Sequence, residues 1–227
     1  MNPRLAAYIE RKVRLIEALD EGECGGTYAD ACLVASSTIS GFASILWPGE
    51  NCPDRKRFVQ VWSDYATSNL GMNLVSVPLL LADLEMRSCH VEMEQLTAIS
   101  PDPEGLDCLS RVVTGSEVDL PEHLIRASCP TVPVRDIRAQ SYGNIFYKHV
   151  RSAYVHEYQI SKHSDSISMA SPGSGVSYTN VIRAPFRRIH FEASWLIQLI
   201  RVLATNIEPV IPNAPLPHPR PWWVDGG

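Results

Sequence analysis

The chain has 227 residues, 45% hydrophobic and 20% charged, with a formal net charge of −5 at pH 7. That supplies one well-packed domain, or one domain with an insertion, and argues against a surface built to coat nucleic acid along its whole extent. No uninterrupted apolar run approaches the roughly 18 residues that span a bilayer, and Met1-Asn2-Pro3-Arg4 leads into a charged helix rather than a signal peptide, so a cytoplasmic protein without a membrane anchor is expected.

Helical periodicity dominates the first third. Leu5, Ile9, Val13 and Ile16 form one stripe, and Ala35, Ile39, Phe42, Ala43 and Leu46 a second. Trp47-Pro48-Gly49 stops the second helix, and Phe58, Val61, Trp62 and Tyr65 mark a third that starts near Asp54, a residue suited to an N-cap. Repeated stops and starts predict an all-α, antiparallel helical bundle.

Residues 70–134 are less regular and read as an insertion. The apolar patch from Val75 to Leu84 predicts a short helix over Val77–Met86, after which Pro101, Pro103, Gly105, Gly115, Pro121, Pro130 and Pro133 break the pattern. A long helix is expected from about Arg135 to Tyr158, with Tyr142, Ile145, Phe146, His149 and Ala153 near one face and His149 as a packing or interface histidine. Ser171-Pro172-Gly173-Ser174-Gly175, between Ile167-Ser168-Met169 and Val176-Ser177-Tyr178, predicts a small hairpin or a mobile flap. The last helix is expected over roughly Arg187–Asn206, with Phe191, Trp195, Leu199, Val202 and Leu203 as its core stripe. Residues 1–206 thus read as one helical domain, and the proline-rich tail, 207–227, favours polyproline II and docks Trp222-Trp223 on its own surface or on a partner.

Six cysteines, Cys24, Cys32, Cys52, Cys89, Cys108 and Cys129, form no Cys-x2-Cys unit, so no metal and no other cofactor is expected, and the thiols read as reduced packing residues. Chemistry is concentrated instead in Arg151-Ser152-Ala153-Tyr154-Val155-His156. An imidazole can move the 2′-hydroxyl proton of RNA, and a guanidinium can hold the scissile phosphate and its developing charge. Five steps of an α-helix place two residues about 140° apart, so Arg151 and His156 meet only if the helix bends there or a second copy faces them. The surroundings carry the charge that RNA needs: from Ser141 to His190, Lys148, Arg151, Lys162, Arg183, Arg187 and Arg188 stand against Glu157 and Asp165.

This segment resembles the motif helix of the HEPN (higher eukaryotes and prokaryotes nucleotide-binding) superfamily of α-helical ribonucleases, whose motif is Arg-x4–6-His. The run from Asn144 to Val150 ahead of Arg151, and Glu157-Tyr158 after His156, are similar to its bacterial form, and the stretches from Asp30 to Gly49 and from Asp54 to Phe58 resemble earlier helices of defence-associated members. The resemblance implies a catalytic pair, Arg151 and His156, in a homodimer that places two motifs across one cleft and leaves 2′,3′-cyclic phosphate ends. It further implies a stress or anti-phage setting with an antitoxin or other regulatory partner. Lys148, Ser152, Tyr158, Arg187 and Arg188 are the expected RNA contacts, although Ser152 stands where many members carry Asn, Asp or His. A catalytically silent module that binds nucleotide or RNA, and a helical adaptor that uses the Pro/Trp tail, are the alternatives.

Overall fold

The structure, a computed structural model, describes residues 2–49, 54–66, 71–107, 111–157, 164–166, 170–180 and 187–225; among these the side chains of 107, 156, 157, 180 and 187 are not described. The chain is mostly helical and carries one small antiparallel sheet of three strands.

Helix α1 (Pro3–Asp20) buries Ile9, Val13 and Ile16, the stripe its periodicity predicts. Helix α2 (Tyr28–Leu46) begins in a capping box, in which Thr27 and Asp30 satisfy each other's backbone N–H groups. It packs against α1, against α3 (Asp54–Tyr65) and against α12 (Ala193–Ile207), which is why Ala31, Ala35, Ile39, Phe42, Ala43 and Leu46 are all buried. By length and composition alone α2 is long and apolar enough to cross a bilayer, although Asp30 and its serines interrupt the apolar run; half of that window is buried inside the fold.

The described residues of the segment read as an insertion form short helices and share the main core. The helix expected over Val77–Met86 is present as α4, with the Ser76 hydroxyl accepting from the Leu79 N–H. Beyond it lie α5 (His90–Ile99), α6 (Pro103–Asp107), strand β1 (Val113–Thr114), α7 (Gly115–Val118) and α8 (Glu122–Ser128). Leu84, Leu96, Leu106, Val118 and Ile125 from this stretch belong to the same apolar cluster as α1, α2 and α12. The prolines punctuate short helices rather than prevent them: Pro103, Pro121 and Pro133 sit at or beside a helix start, where a missing N–H costs nothing, and Pro130 lies just past the end of α8.

The expected long motif helix is broken. Helix α9 (Val134–Ala139) ends at Gln140, and α10 (Tyr142–Ile145) restarts after Ser141, whose backbone is extended. The groups freed by the break bond to the chain ahead of α4: Ser76 N–H to the Gln140 carbonyl at 2.8 Å and Tyr142 N–H to the Leu74 carbonyl at 3.0 Å. A π-helical segment, Phe146–Arg151, follows, and the Ser152 N–H bonds the carbonyl of Tyr147, five residues back. Helix α11 (Ser152–Glu157) then resumes. The wider turn stretches the buried repeat to Tyr142, Phe146, Val150 and Tyr154, so Val150 is buried and His149 is only half-buried.

A hairpin does follow the motif helix, but its strands differ from those expected. Strand β2 (Val176–Asn180) pairs with β3 (Arg187–Phe191) and, on its other edge, with β1 from the supposed insertion. Residues 167–169 lie outside the described residues. Ser171–Gly175 is not a free flap, because the N–H groups of Gly173 and Gly175, both at positive φ, donate to the Glu192 carboxylate at 2.8 and 2.9 Å. Arg187–Phe191, expected as the start of the last helix, is a strand: Ile189 and Phe191 face the core on one side, and Arg188 and His190 take the other. Helix α12 begins only at Ala193 and buries Trp195, Leu199 and Leu203 as predicted, with Val202 half-buried at its edge.

The tail docks on the chain's own surface. Trp47 donates from Nε1 to the Pro217 carbonyl at 3.1 Å and meets Trp222 edge-on at 5.6 Å, while Arg138 lies 4.7 Å over the Trp223 ring and donates to its carbonyl at 2.6 Å. Deleting 209–227 therefore uncovers Trp47 and leaves the guanidinium of Arg138, 8% exposed, without the Trp223 carbonyl. The expected loss is about 3 kcal/mol, or about 10 °C in Tm, read by calorimetry. A truncated chain that melts with the full one would refute the docking.

Candidate functional site

Two elements converge on the Arg151 guanidinium. The π-helical segment carries Arg151 and Tyr147, and α3 brings Asp54. Arg151 Nη2 lies 2.6 Å from Asp54 Oδ2 and the guanidinium carbon 4.7 Å over the Tyr147 ring. The Tyr147 hydroxyl donates to the same carboxylate oxygen at 3.1 Å, and Arg57 Nη2 reaches the other oxygen at 3.4 Å. Burial pushes the Tyr147 phenol above its usual value despite the Arg151 charge, so it remains a protonated donor. The Arg151 side chain is 20% exposed. It is thus held in one orientation from two sides, and among the described residues the other donors of its planar fork meet no carboxylate.

Aromatic packing fixes this arrangement on the core. Phe58 stacks on Phe146 at 6.5 Å and meets Tyr147 edge-on at 5.2 Å, and Phe146 meets Phe191 at 5.3 Å. A Cβ on Gly143 would lie 2.7 Å from Cγ of Trp62, so only glycine lets α10 approach α3 this closely.

The expected site residues fare differently. Lys148 is exposed, and Ser152, half-buried, contributes its N–H to the π-turn. His156 is placed by backbone on α11, but its side chain, that of Arg187 and the whole of Tyr158 lie outside the described residues. From Ser152 onward the backbone is α-helical, which keeps Arg151 and His156 about 140° apart within one chain. Arg188 is on β3 opposite Thr179, and its Nε is buried without a hydrogen-bond partner.

His190, at the end of the basic stretch, is not a surface cation. It is 4% exposed and stacked 4.7 Å from Tyr28, and its Nδ1 lies 3.1 Å from the Asp165 carbonyl; burial holds its pKa below the ordinary histidine value. Arg183 lies outside the described residues. Nearby, burial pushes the Cys32 thiol up to about 12, so it packs as a thiol rather than reacting as a thiolate. No cluster of three or more His, Cys, Asp or Glu suited to a metal occurs among the described residues.

Sequence reading assigned Asp54 to a helix start and missed it, and Tyr147, as the partners of Arg151. The signal present was the placement of an acid ahead of Arg55-Lys56-Arg57 at the head of a helix, a position where cations oppose the helix dipole. Compared with protein-family models, with curated proteins and with solved structures, the chain matches none.

Proposed function

We propose that this chain is a HEPN-like, metal-independent endoribonuclease that acts in the cytoplasm as a homodimer, in a bacterial stress or anti-phage setting and under the control of an antitoxin or other regulatory partner. The observation that carries this reading is the seat of Arg151, a guanidinium clamped by Asp54 and Tyr147 at the end of a π-helical segment. Such segments recur at functional sites, and a pre-oriented guanidinium is what a phosphate-binding role requires.

In this reading His156 takes the proton from the 2′-hydroxyl. The oxygen attacks phosphorus, the bond to the 5′ oxygen breaks, and that oxygen takes a proton from a motif imidazolium and leaves as a hydroxyl, so the other product ends in a 2′,3′-cyclic phosphate. Arg151 neutralises the charge that grows on the non-bridging oxygens. Proton transfer and charge neutralisation both fall to side chains of the motif, and the 140° offset within one helix is answered by a second motif across a two-fold axis.

Purified wild type and His156→Ala, incubated with mixed cellular RNA in excess EDTA, test this directly. Cyclic-phosphate ends are expected from wild type, with cleavage lowered about 100- to 10,000-fold in the variant. Retained cleavage in the variant sinks the assignment. The Asp54 carboxylate already neutralises Arg151, which favours a second reading, a silent module that binds RNA or nucleotide. Intact RNA with both proteins would select it.

A further inference from the structure

Beside the Arg151 seat lies a groove of about 400 Å³ lined by Arg55, Lys56, Arg135, Asp136, Asn144 and Asp225, with Ala139 and Val224. Its walls come from the first turn of α3, from α9 and α10, and from the tail. The Asn144 side chain, 2% exposed, accepts from Arg55 Nε at 3.0 Å and Nη2 at 2.9 Å, and donates to the Ala139 carbonyl at 2.9 Å. A buried amide anchored to backbone therefore aims the Arg55 guanidinium, and among the described residues no carboxylate pairs with it. The other charges are spoken for differently: Asp136 is held by Arg87 at 2.7 Å and lies 3.6 Å from Nε of the largely exposed Arg135, and Lys56 is held by the tail carboxylate of Asp225 at 2.5 Å.

Asp54 touches Arg151 and its chain neighbour Arg55 touches Asn144, so the head of α3 runs along one side of the motif segment. Asn144 and Arg151 are seven residues apart on that segment, about 10 Å of helix, a distance that a short run of nucleotides covers. We propose that this groove is a phosphate subsite for the RNA strand that enters at Arg151, with Arg55 and Arg135 as its cations and the Asp225 carboxylate standing where a phosphate would meet Lys56. The strand as the source of that phosphate rests on the ribonuclease reading. The tail then competes with substrate: binding requires Lys56 to exchange Asp225 for phosphate.

The test uses full-length chain carrying His156→Ala, which binds without turnover, and a fluorescein-labelled single-stranded uridine oligonucleotide, with uridine monophosphate and inorganic phosphate as competitors. Arg55→Ala and Arg135→Ala are each expected to raise Kd about three- to tenfold and to flatten its salt dependence by about one phosphate contact, whereas Asp225→Asn tightens binding severalfold. Oligonucleotide binding unchanged in both arginine variants, with melting as in the parent, overturns the subsite. So does phosphate or the mononucleotide binding as tightly as the oligonucleotide with the same Arg55 dependence, because the ligand is then free phosphate and not a strand. Cleavage by the His156-bearing chain is scored separately. RNA cut by a protein whose groove variants bind normally removes the subsite alone, and groove-dependent binding without any cleavage removes the ribonuclease alone.

Discussion

Arg151→Ala is expected to lower the rate of RNA cleavage about 100- to 1,000-fold, the range for removing one pre-oriented donor from a site of developing charge. Arg151→Lys keeps the charge but not the planar fork, and should recover only a small part of that loss. Stability should hardly change. The Arg151 to Asp54 pair is partly exposed, and after its removal Asp54 retains the Tyr147 hydroxyl and Arg57, so a cost of about 1 kcal/mol is expected. Single-turnover cleavage and thermal melting of the three proteins separate the roles. Cleavage within twofold of wild type in Arg151→Ala, or a fall in rate that tracks a fall in Tm, would leave Arg151 as a structural cation only.

The second large effect is on stability and comes from a buried carboxylate away from the motif. Asp119, 5% exposed, accepts from the hydroxyls of Tyr142 and Tyr178, the latter at 2.6 Å, and from the Val77 N–H at 2.9 Å; Tyr178 also meets Ser76 Oγ at 2.8 Å. These contacts tie α4, the head of the motif helix and the sheet together. Gly115 leaves the room they need, since a Cβ there would lie 2.1 Å from the Tyr142 hydroxyl. Burial raises the Asp119 carboxyl from 3.8 to about 7 even though the three donors favour its charged form.

The folded protein therefore holds this proton more tightly than the unfolded chain does. Between about pH 4 and pH 7 it carries more of it, so this group's contribution is most favourable below pH 4, declines as pH rises to 7 and is level above. The full span is on the order of 4 kcal/mol. Asp119→Asn keeps an acceptor for the tyrosines and cannot titrate. Urea unfolding of both proteins at pH 5 and pH 8 should show wild type losing stability relative to the variant on going to pH 8. A difference that is the same at both values would mean that Asp119 does not titrate in this window.

Helices α1, α2 and α3 and the core stripe of α12 were legible in the sequence because their signals are local. Apolar residues recur at three and four positions, caps and breakers sit beside them, and one buried face satisfies the pattern. The short α4 was legible for the same reason. At 187–191, however, two periods fit at once: Phe191 opens a helical stripe with Trp195 and Leu199, while Ile189 and Phe191 also alternate with Arg188 and His190. The free edge of β2 decides in favour of the strand, since pairing there satisfies backbone groups that the local pattern leaves open.

By itself, then, the sequence determined a mostly helical chain, the approximate bounds of its amphipathic helices and the position of an Arg-x4-His segment in a basic stretch. Tertiary structure alone decided that Arg151 sits against Asp54 and Tyr147, that the motif helix is broken at Gln140 and widened from Phe146 to Arg151, that the helices described between residues 71 and 134 share the common core, and that the tail packs on Trp47 and Arg138. The division follows from range. Periodicity and capping are energies between residues a turn apart, whereas ion pairs, sheet edges and docked tryptophans join segments far apart in the chain, and their partners exist only once the core has brought them together.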